Sequence, residues 1–192
     1  MRKAIILLFC IYSSIAIADT SADAYKSLKG IESSFEVGVP YTEFMSLLRE
    51  AKLNVTLLNE ERSGKMSTFA SSLNSALDNY ERVGEYFKLK NESDKKYVSE
   101  NSTLVDKFYK KYPDVKSRLV ILNEPGLTQE EQVKRLQENT IENPLIGWIE
   151  GSNGKSWVTI EIDSMMQVAL QAAAQDLKNA HKSKPQKRPV KG

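Results

Sequence analysis

Apolar residues recur at helical spacing through the first half of the chain. Ala24, Leu28, Ile31 and Phe35 step by 4, 3 and 4. Phe44, Leu48, Ala51, Val55 and Leu58 continue the rhythm, and so do Met66, Phe69, Leu73, Ala76, Tyr80, Val83 and Phe87. Each set lines one face of an α-helix, with polar residues on the other faces. The mean step of about 3.5 keeps an apolar seam aligned between helices that cross at a shallow angle. Gly38-Val39-Pro40 separates the first two stripes, and Thr42 is placed to cap the second helix. Ser63-Gly64-Lys65 separates the second and third, with Ser67 as the cap. Connections this short make consecutive helices antiparallel neighbours. The pattern predicts an all-α fold, an antiparallel helical bundle with heptad-like packing.

The second half is less regular. Asn91 to Lys96 reads as a polar loop. Leu104, Val105, Phe108 and Tyr112 make one face of a short helix that ends before Pro113. The run Leu119-Val-Ile-Leu122 fits a helix end or a strand equally well. Pro125-Gly126 is a turn. Thr128 and Glu131 form a capping box, hydroxyl and carboxylate each satisfying the other's backbone amide, for a helix that runs through Thr140. Trp157 to Ile162 alternates as a strand does, yet Met166, Leu170, Ala173 and Leu177 step as a helix does, with no breaker between them. One long helix from near Ser156 is the preferred reading. A short β-hairpin near 146–162, turning at Gly151-Ser-Asn-Gly154, is the alternative.

The N-terminus changes the context. Arg2 and Lys3 precede an apolar run, Ile5 to Ile11, and Ala16-Ile17-Ala18 places small residues where a signal peptidase reads them. This is the three-part secretory signal, and its apolar run is too short for a membrane anchor, which needs about 20 apolar residues. The expected organisation is a signal peptide at 1–18, a helical domain at 19–180 and a disordered basic tail at 181–192. Cleavage after Ala18 takes the 27 basic residues to 25, equal to the 25 acidic ones. A near-neutral mature chain argues against nucleic-acid binding. Cys10, the only cysteine, leaves with the signal. Disulfides, thiolate metal sites and thiol nucleophiles leave with it. The address implied is the periplasm or the exterior of the cell.

No catalytic signature emerges. Gly154-Lys155-Ser156 resembles the end of a phosphate-binding loop, but the glycine such a loop requires five residues earlier is Ile149. His181 is the only histidine, at the start of the basic tail, which leaves no histidine-based triad or metal site. Glu60, Glu61, Glu81, Glu85, Glu130 and Glu131 could pair for acid–base work, but they read as solvated helix faces. No cofactor is implied. Aromatic residues are the remaining candidates. Tyr41, Phe44, Tyr80 and Tyr86 fall where helices face each other, and Trp148 and Trp157 flank the glycine-containing loop. They serve either as core packing or as a binding surface for an envelope protein or a small ligand.

Gly38-Val39-Pro40-Tyr41-x-x-Phe44, followed by Ala51-Lys52-x-x-Val55, resembles a pattern in small exported bacterial proteins of uncharacterised function. The resemblance spans roughly residues 24 to 90. It implies a helical fold and a periplasmic address and brings no activity with it. The resulting expectation is a non-enzymatic binding module of the cell envelope, with the tail making weak contact with anionic surfaces. Two rivals are an inhibitor of a secreted enzyme that inserts the Gly147–Ser156 loop, and a carboxylate-dependent envelope enzyme.

Overall fold

The computed structural model describes residues 2–61, 67–93, 96–121, 131, 145–152 and 155–184. Its side chains are described from Thr20 onward, except in 117–121, 145–152 and 155–158. Helix α1 spans Arg2–Val37, α2 Tyr41–Glu61 and α3 Thr68–Ser93. Strand β1 (Tyr97–Ser99), helix α4 (Thr103–Lys111) and a 3-10 helix (Pro113–Arg118) follow. Strands β2 (Leu119–Ile121), β3 (Leu145–Ser152) and β4 (Lys155–Glu161) then lead into helix α5 (Ile162–Lys182). The fold is predominantly helical, as the periodicity predicts, and the hairpin held as the alternative reading is present. Among the described residues, no helix is long and apolar enough to cross a membrane.

The chain divides into two compact units. Residues 1–84 and 169–192 form the first, and residues 85–168, inserted in the sequence between its third and fourth helices, form the second.

The first unit is a four-helix bundle. The predicted stripes are its core: Ala24, Leu28 and Ile31 from α1, Phe44, Leu48, Ala51, Val55 and Leu58 from α2, and Phe69, Leu73, Ala76, Tyr80 and Val83 from α3 are all buried. α5 adds Ala169, Ala173, Leu177 and Ala180. Contacts between neighbouring helices give their directions. Thr20 at the start of the described α1 side chains donates to Glu61 at the end of α2 (2.8 Å), while Phe35 meets Phe44 edge-on at the opposite end. Asn59 and Asn74 exchange two amide hydrogen bonds of 2.9 and 3.0 Å across α2 and α3. Lys52 pairs with Glu81 farther along the same interface. Asn79, buried on α3, donates to Asp176 of α5 at 2.9 Å. Tyr25 of α1 lies against His181 near the end of α5. The order is up-down-up-down, closed by the C-terminal helix.

Local chemistry sets the connections. Gly38 takes φ +83°, the left-handed conformation that ends α1 without a Cβ penalty, and Pro40 follows it. Helix α2 begins at Tyr41 with the Phe44 amide on the Pro40 carbonyl. Thr42 therefore lies inside the first turn and does not cap the helix. Ser67 does cap α3, its hydroxyl accepting from the Ala70 amide at 3.2 Å.

In the second unit α3 runs on to Ser93, through part of the expected polar loop. Ser102 caps α4, and Phe108 packs among Tyr86, Tyr109 and Tyr112. The sheet order is β1-β4-β3-β2, with β2 parallel to β3 and the other pairs antiparallel.

The single C-terminal helix expected from Ser156 is corrected to a strand followed by a helix. Residues 155–160 make a six-pair ladder with β3, from Gly147↔Ile160 to Ser152↔Lys155, Glu161 stands opposite Tyr97 of β1, and the helix begins only at Ile162. The β-branched and aromatic run Trp157-Val-Thr-Ile160 suits a pleated surface, and the Met, Gln, Ala and Leu residues beyond it suit a helix. The change needs no turn, because the Ile162 amide is satisfied by the Lys96 carbonyl at 2.9 Å. The helix also continues past Ala180 to Lys182, so His181 belongs to it and not to a disordered tail. The turns at 63–65 and 125–126, the capping box and helix expected from Thr128 through Thr140 (apart from Glu131), and the tail beyond Lys184 lie outside the described residues.

Two glycines test the bundle. A Cβ on Gly30 meets nothing within 4 Å, whereas one on Gly84 lies 3.3 Å from Phe44 and 3.4 Å from Leu48. Gly30→Ala should raise the unfolding free energy by up to about 1 kcal/mol through helix propensity. Gly84→Leu should lower it by about 1–3 kcal/mol by overpacking the α2–α3 contact. Urea unfolding checks both, and a Gly84→Leu protein as stable as the parent contradicts that close approach.

Candidate functional site

The aromatic residues singled out from the sequence do not form one surface. Phe44, Tyr80 and Tyr86 are buried at 0 to 1% exposure. They are core residues, because their positions in the apolar stripes turn them inward. Tyr41 is half-buried on the first turn of α2. For Trp148 and Trp157 the backbone register is described. Trp148 stands opposite Thr159 and Trp157 opposite Glu150, which puts both tryptophans at positions on one face of the hairpin.

A concavity lies instead in the four-helix unit, between α1 and α5. It is an open groove of about 420 Å³. Helix α1 contributes Tyr25, Lys29 and Glu32, stepping by 4 and 3. Helix α5 contributes Gln171, Gln175, Lys178 and His181, stepping by 4, 3 and 3. Ala174 and Leu177 complete the lining. The small Ala174 leaves open the space between the two rows of polar residues. Both rows run beside the buried stripes on their own helices, so the same periodicity that builds the core aligns the groove.

Tyr25 is the centre of its contacts. The His181 ring lies 6.0 Å from it at a tilt of 36°, and the Lys184 ammonium stands 5.7 Å from the ring centroid. Glu32 bonds Lys29 one turn away on α1. That hydrogen bond, opposed by a smaller burial effect, holds the Lys29 ammonium above the ordinary lysine range. Among the described residues, Glu32 is the only acid lining the groove. Two glutamines, an aromatic ring and a cationic rim can recognise a polar or anionic ligand. Among the described residues, no group of three His, Cys, Asp or Glu could share a metal ion.

Glu130 lies outside the described residues, and the other candidate carboxylates are occupied or exposed. Glu81 pairs with Lys52, and Glu61 accepts from Thr20. Glu60 and Glu85 are exposed. Lys155 and Ser156, which resemble the end of a phosphate loop, open strand β4 and do not lead into a helix N-terminus.

Tyr80 is unusual. Its hydroxyl is buried, with no hydrogen-bond partner among the described residues. Burial, and secondarily the Glu32 charge, push the phenol above its ordinary range. In the other unit, burial and then Glu100 push Tyr109 up to about 12.

The groove was missed by the sequence reading. Its residues are common surface types, and the helices that carry them lie at opposite ends of the chain. The available signal was a polar stripe of matching period beside each buried one. Comparison with known families, curated protein sequences and solved structures returned no match.

The phenol of Tyr80 gives a direct test. Tyr80→Phe removes an unpartnered buried hydroxyl and should leave stability near neutral pH unchanged or raised by about 1 kcal/mol. The raised phenol contributes stability that is fully present below pH about 10, the unfolded value. That contribution is lost as pH rises through the higher native value, because the unfolded chain ionises first. Tyr80→Phe should therefore lose less stability than the parent between pH about 8 and about 11. Urea midpoints at those two pH values measure this, and a variant destabilised at neutral pH by more than about 2 kcal/mol would mean the hydroxyl is bonded.

Proposed function

We propose that this protein is an exported, non-enzymatic binding module of the cell envelope, with the α1–α5 groove as its ligand site. The observation that carries the reading is the groove itself. Aligned rows of polar side chains from two helices flank an aromatic ring, and the lone acid in the lining is already paired with a lysine. The resemblance of the Gly38–Phe44 turn to small exported bacterial proteins points to the same cellular address.

Export is supported by the three-part pattern of the first residues, Arg2-Lys3, the apolar run Ile5 to Ile11 and the small residues of Ala16-Ile17-Ala18. The buried residues Ser21, Ala24, Leu28 and Ile31 of α1, and the Thr20 bond to Glu61, belong to the mature part of the chain. Cleavage after Ala18 leaves every one of these contacts in place. It also leaves Thr20 and Ser21 at the new helix start, where hydroxyl side chains cap well.

His181 gives a clean readout, because a single imidazole gives one assignable NMR signal in the groove. Titration with fractions of an envelope extract should shift that signal for at least one fraction, and Tyr25→Ala should abolish the shift. An unmoved His181 signal across protein, glycan and lipid fractions contradicts the groove as a binding site. The intact mass of the protein recovered after export should correspond to a chain beginning at Asp19. A chain retaining Met1 contradicts the export reading.

A further inference from the structure

The groove between α1 and α5 reaches the core of the four-helix unit. Leu177 lines it and is only 1% exposed, and the small Ala174 beside it fills little of the space. Two observations set Tyr80 of α3 level with that floor. The residue before it, Asn79, donates to Asp176, which stands in sequence between the lining residues Gln175 and Leu177. From the other side, Glu32 of α1 lines the groove, and its charge acts on the Tyr80 phenol. Tyr80 is 1% exposed, and its hydroxyl has no hydrogen-bond partner among the described residues.

A buried hydroxyl without a partner costs about 1–3 kcal/mol. Core packing accounts for the ring of Tyr80 but not for its oxygen, because a phenylalanine would fill the same place in the stripe. A partner supplied through the groove offsets that cost, and the neighbouring groups define what it must offer. Tyr80 can donate, whereas the Glu32 carboxylate only accepts. Lys29 bonds Oε2 of Glu32, and Oε1 remains an acceptor. A ligand hydroxyl both accepts from Tyr80 and donates to Glu32. A carboxylate or phosphate oxygen brings no proton and is repelled by Glu32, and an ammonium brings no lone pair. Farther along α5, the Gln171 carboxamide donates and accepts, and Gln175, whose nitrogen donates to Asn179, keeps its oxygen as an acceptor. Mixed donors and acceptors in a row suit a molecule carrying several hydroxyls.

We propose that the α1–α5 groove takes a saccharide, one hydroxyl of which reaches Tyr80 and Glu32 while others meet Gln171 and Gln175. This rests on the groove as the ligand site and names the class of its ligand. The groove's volume of about 420 Å³ falls within the range of about 300–1,000 Å³ usual for small-molecule sites. The Tyr80 oxygen is a cost in the free protein and a hydrogen bond in the complex. Removing it therefore moves stability and binding in opposite directions, which the loss of a purely structural tyrosine does not do.

NMR titration of the purified protein, read at the His181 imidazole, tests this with glucose, galactose, mannose and N-acetylglucosamine as probes, each carried to tens of millimolar. At least one should shift the signal to saturation. Tyr80→Phe should bind that sugar about threefold to tenfold more weakly, while its urea midpoint stays at or above the parent's. Gln171→Ala should weaken binding by a similar factor. Lys52→Ala, whose ion pair with Glu81 belongs to the α2–α3 interface, should leave it unchanged. Acetate and inorganic phosphate should not compete. Full affinity in Tyr80→Phe overturns the proposal, as does competition by acetate or phosphate in favour of a small anion. A His181 signal that responds to an envelope fraction and to none of the four sugars overturns the saccharide and keeps the groove as a binding site. A signal that responds to neither overturns both.

Discussion

Closure of one apolar seam by a helix from the far end of the chain is the constraint on which the rest of the structure depends. Helices α1, α2 and α3 each bury a stripe of period about 3.5, and three such helices in succession leave one side of the seam open. Residues 169–182 of α5 cover it. Ala169, Ala173, Leu177 and Ala180 are buried there. Two polar contacts fix the register of the packing. Asn59 and Asn74 satisfy each other across α2 and α3, and the buried amide of Asn79 finds the Asp176 carboxylate on the closing helix. An amide buried without a partner costs about 1–3 kcal/mol, so a slip that parted Asn79 from Asp176 would be penalised.

The groove follows from that closure. Tyr25, Lys29 and Glu32 lie beside the buried Ala24, Leu28 and Ile31, and Gln171, Gln175, Lys178 and His181 lie beside Ala173, Leu177 and Ala180. Antiparallel packing of α1 against α5 brings the two polar rows face to face. The residues proposed to bind are thus positioned by the same seam that stabilises the unit. The long stretch 85–168 enters the sequence between the third and fourth helices and forms a compact unit of its own around Tyr86, Phe108 and Tyr112.

Much of the bundle was legible in the sequence because the core stripes of α2 and α3 contain few interruptions, and a glycine-proline break separates α1 from α2. The hairpin was legible only as an alternative. Trp157 to Glu161 alternates like a strand, but no glycine or proline marks the change to helix at Ile162, and the Lys96 carbonyl that satisfies the Ile162 amide comes from sequence far upstream. Phe44, Tyr80 and Tyr86 show why aromatic residues are ambiguous signals, since the spacing that suggests a facing surface is the spacing that buries it. His181 looked like a tail residue because the basic composition begins there. The helix continues through it to Lys182, and those two extra residues bring the imidazole to Tyr25. Side chains that meet only through tertiary closure carry no local signal of their meeting.

Amide hydrogen exchange on the intact protein tests the closed seam most directly. If α5 completes the bundle, the amides of residues 170–180 and those of the buried faces of α1, α2 and α3 should share one protection free energy and lose it together as urea is added, because they open as one cooperative unit. Residues 170–180 exchanging far faster, with α1 to α3 still protected, would show that three helices form the core alone and that the α1–α5 groove has no lasting structure.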